Sequence, residues 1–95
     1  MTGYTITLPT FADTDNLQFS ANVADFVFKF IARWYDNLWH ITIFIDEENK
    51  RSLIVYPNAI YFKYDTTYSM MFVTELTEIG YNDLSGLSLE VAIGD

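Results

Sequence analysis

The sequence lacks cysteine, has only one histidine, two prolines and four glycines, and carries five basic residues against 13 acidic ones. Without cysteine the chain forms no disulfide, no thiolate metal site and no cysteine nucleophile. A single histidine leaves only carboxylates to complete a tetrahedral zinc site, so we expect no zinc. The few basic residues disfavour direct nucleic-acid binding, because phosphate contacts need a basic patch.

Long hydrophobic runs are also missing, and no basic and apolar segment follows Met1. A membrane-spanning helix needs about 20 consecutive apolar residues, so we expect no membrane insertion. Because no segment at Met1 resembles a secretory signal, we expect the cytoplasm as the default compartment. The 95 residues are 51% hydrophobic, which disfavours disorder and predicts a single domain over residues 1–95. Residues 1–15 are expected to form an edge strand or an arm.

Alternation of side chains with a period of two dominates the rest of the chain, as in half-buried strands. Val, Ile, Thr, Tyr, Phe and Trp fill the alternating segments, and glycine and proline stay at their borders. We predict an all-β fold, a small antiparallel β-sandwich or barrel of about six to eight strands. The predicted strands are 4–8, 17–23, 26–34, 39–46, 53–56, 60–65, 68–75 and 87–93.

Polar pairs and one longer polar run separate these segments. Ala24-Asp25 is predicted to turn the chain directly into the next strand. Asp36-Asn37 is predicted to form a turn, since Asp and Asn tolerate left-handed conformations. The run 46–51 is expected to form a second tight connection after the hairpin. Both faces of several strands are apolar, so some of the two Trp, seven Tyr and eight Phe are expected to contact a partner.

Residues with catalytic or metal-binding chemistry are scarce. His40 lies inside a predicted strand without a serine motif, so a structural or surface role is favoured over catalysis. Residues 13–16 resemble the start of a calcium loop, but Gln18 and Ala24 stand where that loop needs glycine and glutamate. We therefore predict no catalytic residue, no metal site and no cofactor, and a protein that is not an enzyme.

The charges are unevenly distributed along the chain. All five basic residues lie between Lys29 and Lys63, whereas residues 66–95 contain only acidic charges. One interpretation is a solvated acidic surface that keeps an aromatic-rich chain soluble. The other is an acidic surface that docks on a basic partner or imitates nucleic acid.

The order of residues from Asn16 to Asp46 is distinctive. A Gln-Phe-Ser strand is followed by the aromatic strand 26–33, an Asp-containing turn at Asp36, and a Trp-led aliphatic strand that ends in Ile45-Asp46. This segment resembles the small baseplate plug proteins of contractile-tailed bacteriophages. The stretch 81–84 before the last aliphatic strand is also similar, whereas 53–58 lacks the glycine common at that place in the family.

The resemblance implies a structural virion component, made in the host cytoplasm, that caps the tail tube at the baseplate hub. Its partners would be neighbouring tube, hub and spike proteins, and it would form a homo-oligomer within that assembly. An alternative function is a small acidic phage-encoded inhibitor that docks on a basic host surface by charge mimicry. A small ligand-binding barrel is a third possibility, although 95 residues leave little room for a cavity beside a core.

Interface residues are predicted from two parts of the chain. The less apolar strand faces and the N-terminal segment are the places where side chains are expected to reach a partner. The candidate interface residues are Tyr4, Ile6, Arg33, Tyr61, Lys63 and Tyr68.

Overall fold

The computed structural model describes residues 2–62 and 68–94, with the backbone alone for residues 49 and 50. These residues form eight strands in two antiparallel four-stranded sheets, which confirms the predicted all-β fold. The strands are β1 (Thr2–Thr7), β2 (Asn16–Val23), β3 (Phe26–Tyr35), β4 (Leu38–Ile45), β5 (Glu48–Ile54), β6 (Ile60–Tyr61), β7 (Tyr68–Val73) and β8 (Ser88–Ile93).

One sheet is a meander with the order β2-β3-β4-β5, which we call the meander sheet. Two-residue turns connect its strands at 24–25, 36–37 and 46–47. Both residues of the second and third turns have positive φ, as in type I′ turns, whose twist matches that of the flanking strands. Asp46 also accepts a hydrogen bond at Oδ1 from the Val27 N–H, at 2.9 Å, which fastens the third turn to β3.

The other sheet has the order β1-β8-β7-β6 and brings the two ends of the chain together. β1 pairs with β8 from Thr2 opposite Ile93 to Thr7 opposite Ser88. Of the two expectations for the N-terminal segment, an edge strand or an arm, the structure therefore has an edge strand. Leu8 continues the pairing by donating its N–H to the Leu87 carbonyl at 2.9 Å.

The core lies between the sheets and is built from the apolar residues that the period of two places on one side. Phe28, Phe30 and Trp39 are fully buried, and burying each aromatic side chain contributes roughly 1.5–3 kcal/mol. Phe28 reaches across to Tyr68 of the other sheet, with ring centroids 6.1 Å apart. The same alternation accounts for the buried aliphatic residues of β4, β7 and β8.

Two predicted boundaries are wrong by more than two residues. The polar run 46–51 is not a loop, because the turn needs only Asp46 and Glu47, and β5 begins at Glu48. Polar residues can occupy β5 because it is an edge strand with one margin exposed. The predicted strand 60–65 is reduced to Ile60–Tyr61, because Phe62 has a positive φ of 61° that leads the chain out of the strand. Residues 63–65 lie outside the described residues.

Candidate interaction surface

The outer side of the meander sheet combines basic and apolar side chains. The register places Arg33 between Asn16 and His40, and Lys29 between Ser20 and Phe44. None of these cross-strand neighbours is a carboxylate. We call this surface the basic face; its defining residues are Lys29, Ile31, Arg33, Tyr35, His40 and Phe44.

One charge of the basic face lies near an aromatic ring. Lys29 places its ammonium 5.9 Å from the centroid of the Phe44 ring, within the range of a cation–π interaction. Arg33 is exposed on the same side of the sheet. In a chain of net charge −8, a positive and aromatic surface of this kind is suited to an acidic group on a partner.

His40 lies opposite Arg33, near the end of the basic face at the 36–37 turn, and is in contact with Tyr35. The two rings are stacked, with centroids 3.7 Å apart and an interplanar angle of 8°. The His40 Nε2 atom is buried and has no hydrogen-bond partner among the described residues. Tyr35 is 56% exposed, so the stack presents an aromatic surface to solvent and an unpaired imidazole nitrogen beneath it.

Two shallow grooves flank this stack. One, of about 270 Å³, runs along β3 and β4 past Ile31 and Phe44. The other, of about 300 Å³, lies towards β5 and is lined by Ser52 and Ile54. Catalysis by His40 would need an orienting carboxylate and a nucleophile, and neither groove has a carboxylate in its lining.

The acidic side chains and the histidine of the described ranges do not cluster. No group of three or more His, Asp or Glu residues within the described ranges is close enough together to hold a metal ion. At the segment that resembles a calcium loop, the Thr14 hydroxyl bonds both the N–H and the carbonyl of Asn16. That hydroxyl closes a local turn at the start of β2.

The outer side of the β1-β8-β7-β6 sheet is different in character. It has a groove of about 330 Å³ whose floor is formed by the small residues Gly3, Ser69 and Ala92. Ile60, which is 59% exposed, and Glu90 also line this groove. The surface is less aromatic and less basic than the basic face.

An aromatic cluster closes one end of the sandwich. Tyr81, in the β7–β8 loop, stacks on Trp39 at 5.9 Å and meets Trp34 edge-on at 5.5 Å. Trp39 Nε1 donates a hydrogen bond to the Tyr81 carbonyl at 3.3 Å. Desolvation raises the pKa of the Tyr81 phenol, and the nearby carboxylates of Asp15 and Asp13 raise it further. These contacts fasten the loop to the core, so we assign the cluster a structural role.

The candidate interface residues of the N-terminal segment and of β3 lie in different surroundings. Tyr4 and Ile6 are half-buried on β1 and pack against the core. Arg33 is exposed and belongs to the basic face. Lys63 lies outside the described residues. The structure thus places Arg33 on a different surface from Tyr4 and Ile6.

The positions predicted for the two tyrosines are wrong. Tyr68 is only 6% exposed and lies in the core, because β7 turns it to the same side as Met70 and Phe72. Tyr61 also faces inward, and Ile60 points out. The Tyr61 hydroxyl donates to the Ile54 carbonyl at 2.6 Å and accepts from a backbone N–H at 2.7 Å. Burial raises the pKa of this phenol.

Sequence reasoning did not select Tyr35, His40 or Phe44 as candidate interface residues. The alternation of β3 and β4 contained the information, since these residues occupy the strand positions opposite the buried set. The stack of Tyr35 on His40 also depends on the two-residue turn, which brings the ends of β3 and β4 together.

None of the described residues belongs to a helix long and apolar enough to cross a membrane. Comparison of the chain with known protein families, curated proteins and solved structures found no match.

Proposed function

We propose that this chain is a non-enzymatic building block of a larger protein assembly, and specifically a plug-like component of a contractile phage tail. The specific part of the proposal depends on the sequence resemblance between residues 16 and 46. The general part depends on the surface of the fold. The observation that carries it is the basic face, where Lys29, Arg33 and an exposed aromatic stack stand together on a chain of net charge −8.

The composition of the basic face supports docking to another protein. Aromatic residues and arginine are enriched in the centres of protein interfaces, whereas lysine and acidic residues are depleted there. Tyr35 and Arg33 are exposed side chains of these favoured types, and Ile31 and Phe44 are half-buried beside them. A partner that covers this surface would remove apolar area from water and supply an acidic group to Arg33.

A structural role in an assembly does not require catalytic residues. Neither groove beside His40 has a carboxylate in its lining, and the grooves on the sheet are shallow. A rigid sandwich with tight turns is suited to holding binding surfaces in place. The expected partners are hub, tube and spike proteins of the tail.

The alternative of an acidic inhibitor receives less support from the carboxylates. Mimicry of nucleic acid would need a surface row of carboxylates at phosphate-like spacing. Asp83 instead accepts a hydrogen bond from the Gly80 N–H at 2.7 Å inside the β7–β8 loop. Glu90 lies on the outer side of β8, opposite Met71, and not in that loop.

The test is to purify tail particles from lysates and to quantify this chain in them by mass spectrometry. We expect the chain at a fixed ratio to the baseplate proteins. Its absence from particles, together with salt-sensitive capture of a host nuclease or polymerase, would contradict the proposal and favour the inhibitor.

Charge reversal tests the role of the basic face. We expect Arg33→Glu to reduce incorporation into particles at least about tenfold, which corresponds to about 1.4 kcal/mol. Arg51→Glu is the matched control, because it changes the same residue type on β5, where the guanidinium lies 5.4 Å from the Phe62 ring and away from the basic face. Equal incorporation of both variants would show that the basic face is not the docking surface. Circular dichroism establishes that both variants are folded.

A further inference from the structure

β2 is an outer strand of the meander sheet and contains no charged residue and no proline along the eight residues of Asn16–Val23. Natural sheets protect their edges with charges, proline or very short strands, because an unprotected edge pairs with another chain. The opposite edge of the same sheet, β5, contains the charged residues Glu48 and Arg51, and β6 has only two residues. The protection found at those edges is missing from β2.

Hydrogen bonds at the start of β2 identify which of its backbone groups point outward. The Asp15 carbonyl accepts from the Trp34 N–H at 2.8 Å and therefore faces β3. The N–H and carbonyl of Asn16 bond the Thr14 hydroxyl, at 3.3 and 2.9 Å, and therefore face away from β3. Because this direction alternates along an antiparallel strand, every second residue after Asn16 also presents its N–H and carbonyl at the free edge. These residues are Gln18, Ser20 and Asn22.

The outward groups of these three residues have no hydrogen-bond partner within the described part of the chain. Those of Asn16 are already occupied by the Thr14 hydroxyl. The free edge is thus closed at its first residue and open along the rest of the strand. It offers one donor and one acceptor at each of three alternate positions.

β1, another edge strand without charged residues, lies along the same side of the sandwich as β2. Tyr61, on β6, bonds the Ile54 carbonyl of β5, so those two edge strands lie together. The strand orders then place β1 and β2 along the opposite side. β1 (Thr2–Thr7) also contains no charged residue and no proline. Between these two edges lie half-buried apolar side chains that pack against the core: Tyr4, Ile6, Leu17, Phe19 and Ala21.

We propose that two copies of this chain associate edge to edge, with β2 pairing antiparallel to β2 of the second copy and Ser20 on the two-fold axis. This register sets Gln18 opposite Asn22 of the other copy, and Ser20 opposite Ser20. It therefore pairs all the outward groups that are free and leaves Asn16 with Thr14. The meander sheet, of four strands, continues into that of the second copy.

In this register, side chains of similar polarity from the two copies meet on each face of the paired strands. Phe19 stands opposite Ala21 of the second copy on the inner side, which extends the core across the contact. Neutral polar side chains meet on the outer side. Two chains of net charge −8 repel one another, and β2 lets them approach along a side without charged strand residues. These features select a second copy of the chain as the occupant.

This inference goes beyond the proposed function and does not depend on it. The experiment measures the mass of the purified chain in solution by sedimentation, from micromolar to millimolar concentration. We expect twice the 11.0 kDa chain mass, with a dimer that becomes tighter as added salt screens the repulsion between two chains of net charge −8. Hydrogen exchange at the concentrations that form the dimer is expected to protect the amides of Gln18, Ser20 and Asn22.

Proline substitution separates this edge from the opposite one. Ser20→Pro removes an outward N–H without breaking the β2–β3 ladder, and we expect it to weaken the dimer at least about tenfold. Ser52→Pro is the matched control, since the outward carbonyl of Ile54 places the N–H of Ser52 at the free margin of β5. Ser52→Pro is expected to leave dimerisation unchanged.

Lysine variants at the same two positions keep the test valid if a proline variant fails to fold. Ser20→Lys sets two ammonium groups opposite each other on the axis and is expected to abolish the dimer, whereas Ser52→Lys is expected to retain it. A chain that is monomeric at millimolar concentration overturns the inference. So does equal weakening at both positions, or a dimer whose β2 amides exchange as fast as those of a monomer. Incorporation into tail particles is measured separately, so failure of the tail role is distinguishable.

Discussion

Replacement of Trp39 tests how firmly the β7–β8 loop is attached to the core. Trp39 is fully buried on β4, and its ring meets Phe11, Trp34 and Tyr81 at centroid distances of 5.7, 5.6 and 5.9 Å. Its Nε1 atom donates the bond to the Tyr81 carbonyl. The side chain therefore joins the meander sheet, the β1–β2 connection and the β7–β8 loop at one point.

The expected cost follows from the contacts that are lost. Truncation of a buried tryptophan to alanine costs about 3–5 kcal/mol, including the cavity that remains. Domains of this size have a free energy of unfolding of roughly 5–15 kcal/mol, so Trp39→Ala removes a large part of the stability. Trp39→Phe keeps an aromatic ring but loses the hydrogen bond and part of the volume, and we expect about 1–2 kcal/mol.

Urea unfolding followed by circular dichroism measures both variants. Trp34→Phe is the matched control, because Trp34 is only half-buried; we expect a cost below about 1 kcal/mol. Trp39→Phe remains informative if Trp39→Ala does not fold. A cost for Trp39→Phe no greater than that for Trp34→Phe would refute the assignment of Trp39 as the anchor of the loop.

Three further substitutions test the turns and the Tyr61 contact by urea unfolding. Asn58→Gly keeps the positive φ of 56° but removes the side-chain hydrogen bonds to the N–H and carbonyl of Thr74, at 3.2 and 2.7 Å. We expect it to lower the free energy of unfolding by about 1–2 kcal/mol. An unchanged free energy of unfolding would contradict this. Glu47→Gly is expected to stabilise the chain by about 0.5–1 kcal/mol, because Glu47 has a φ of 71°, whereas Asp25→Gly, in another turn, should not stabilise it. Tyr61→Phe is expected to cost about 1–2 kcal/mol at neutral pH, because two backbone groups lose their partner. Burial raises the pKa of Tyr61 in the folded chain, so the unfolded chain loses this proton first and the free energy of unfolding falls as the pH rises above about 10. Tyr61→Phe should make that fall shallower. An equal slope in both proteins would count against the burial argument.

Much of the fold is predictable from local features of the sequence. The alternation in 26–34 and 39–46 identifies two strands and their buried faces, and Asp36-Asn37 identifies the turn between them. Both features act over a few residues, because side-chain direction has a period of two and a turn needs specific residue types. The boundaries of β5 and β6 are not predictable in this way, since the polar run 48–51 is held in a strand by its pairing with β4.

The candidate surfaces depended more strongly on long-range pairing. Arg33 was predicted as an exposed contact residue, and the structure places it on the basic face. Its neighbours across the strands, Asn16 and His40, follow only from the register. Tyr68 was misplaced because β7 is apolar on both sides, so the period alone does not identify which side is buried.

The sequence by itself determined the all-β class, the parity of the long strands and the excess of acidic over basic residues, because these depend on composition and on short-range spacing. Only the tertiary structure decided which strands are edges and which residues meet on a face. Edge position is a property of strand order, and strand order is set by how two sheets bury their apolar sides together. The neutral residues of β2 are relevant to binding only because the strand order places β2 at the edge of its sheet.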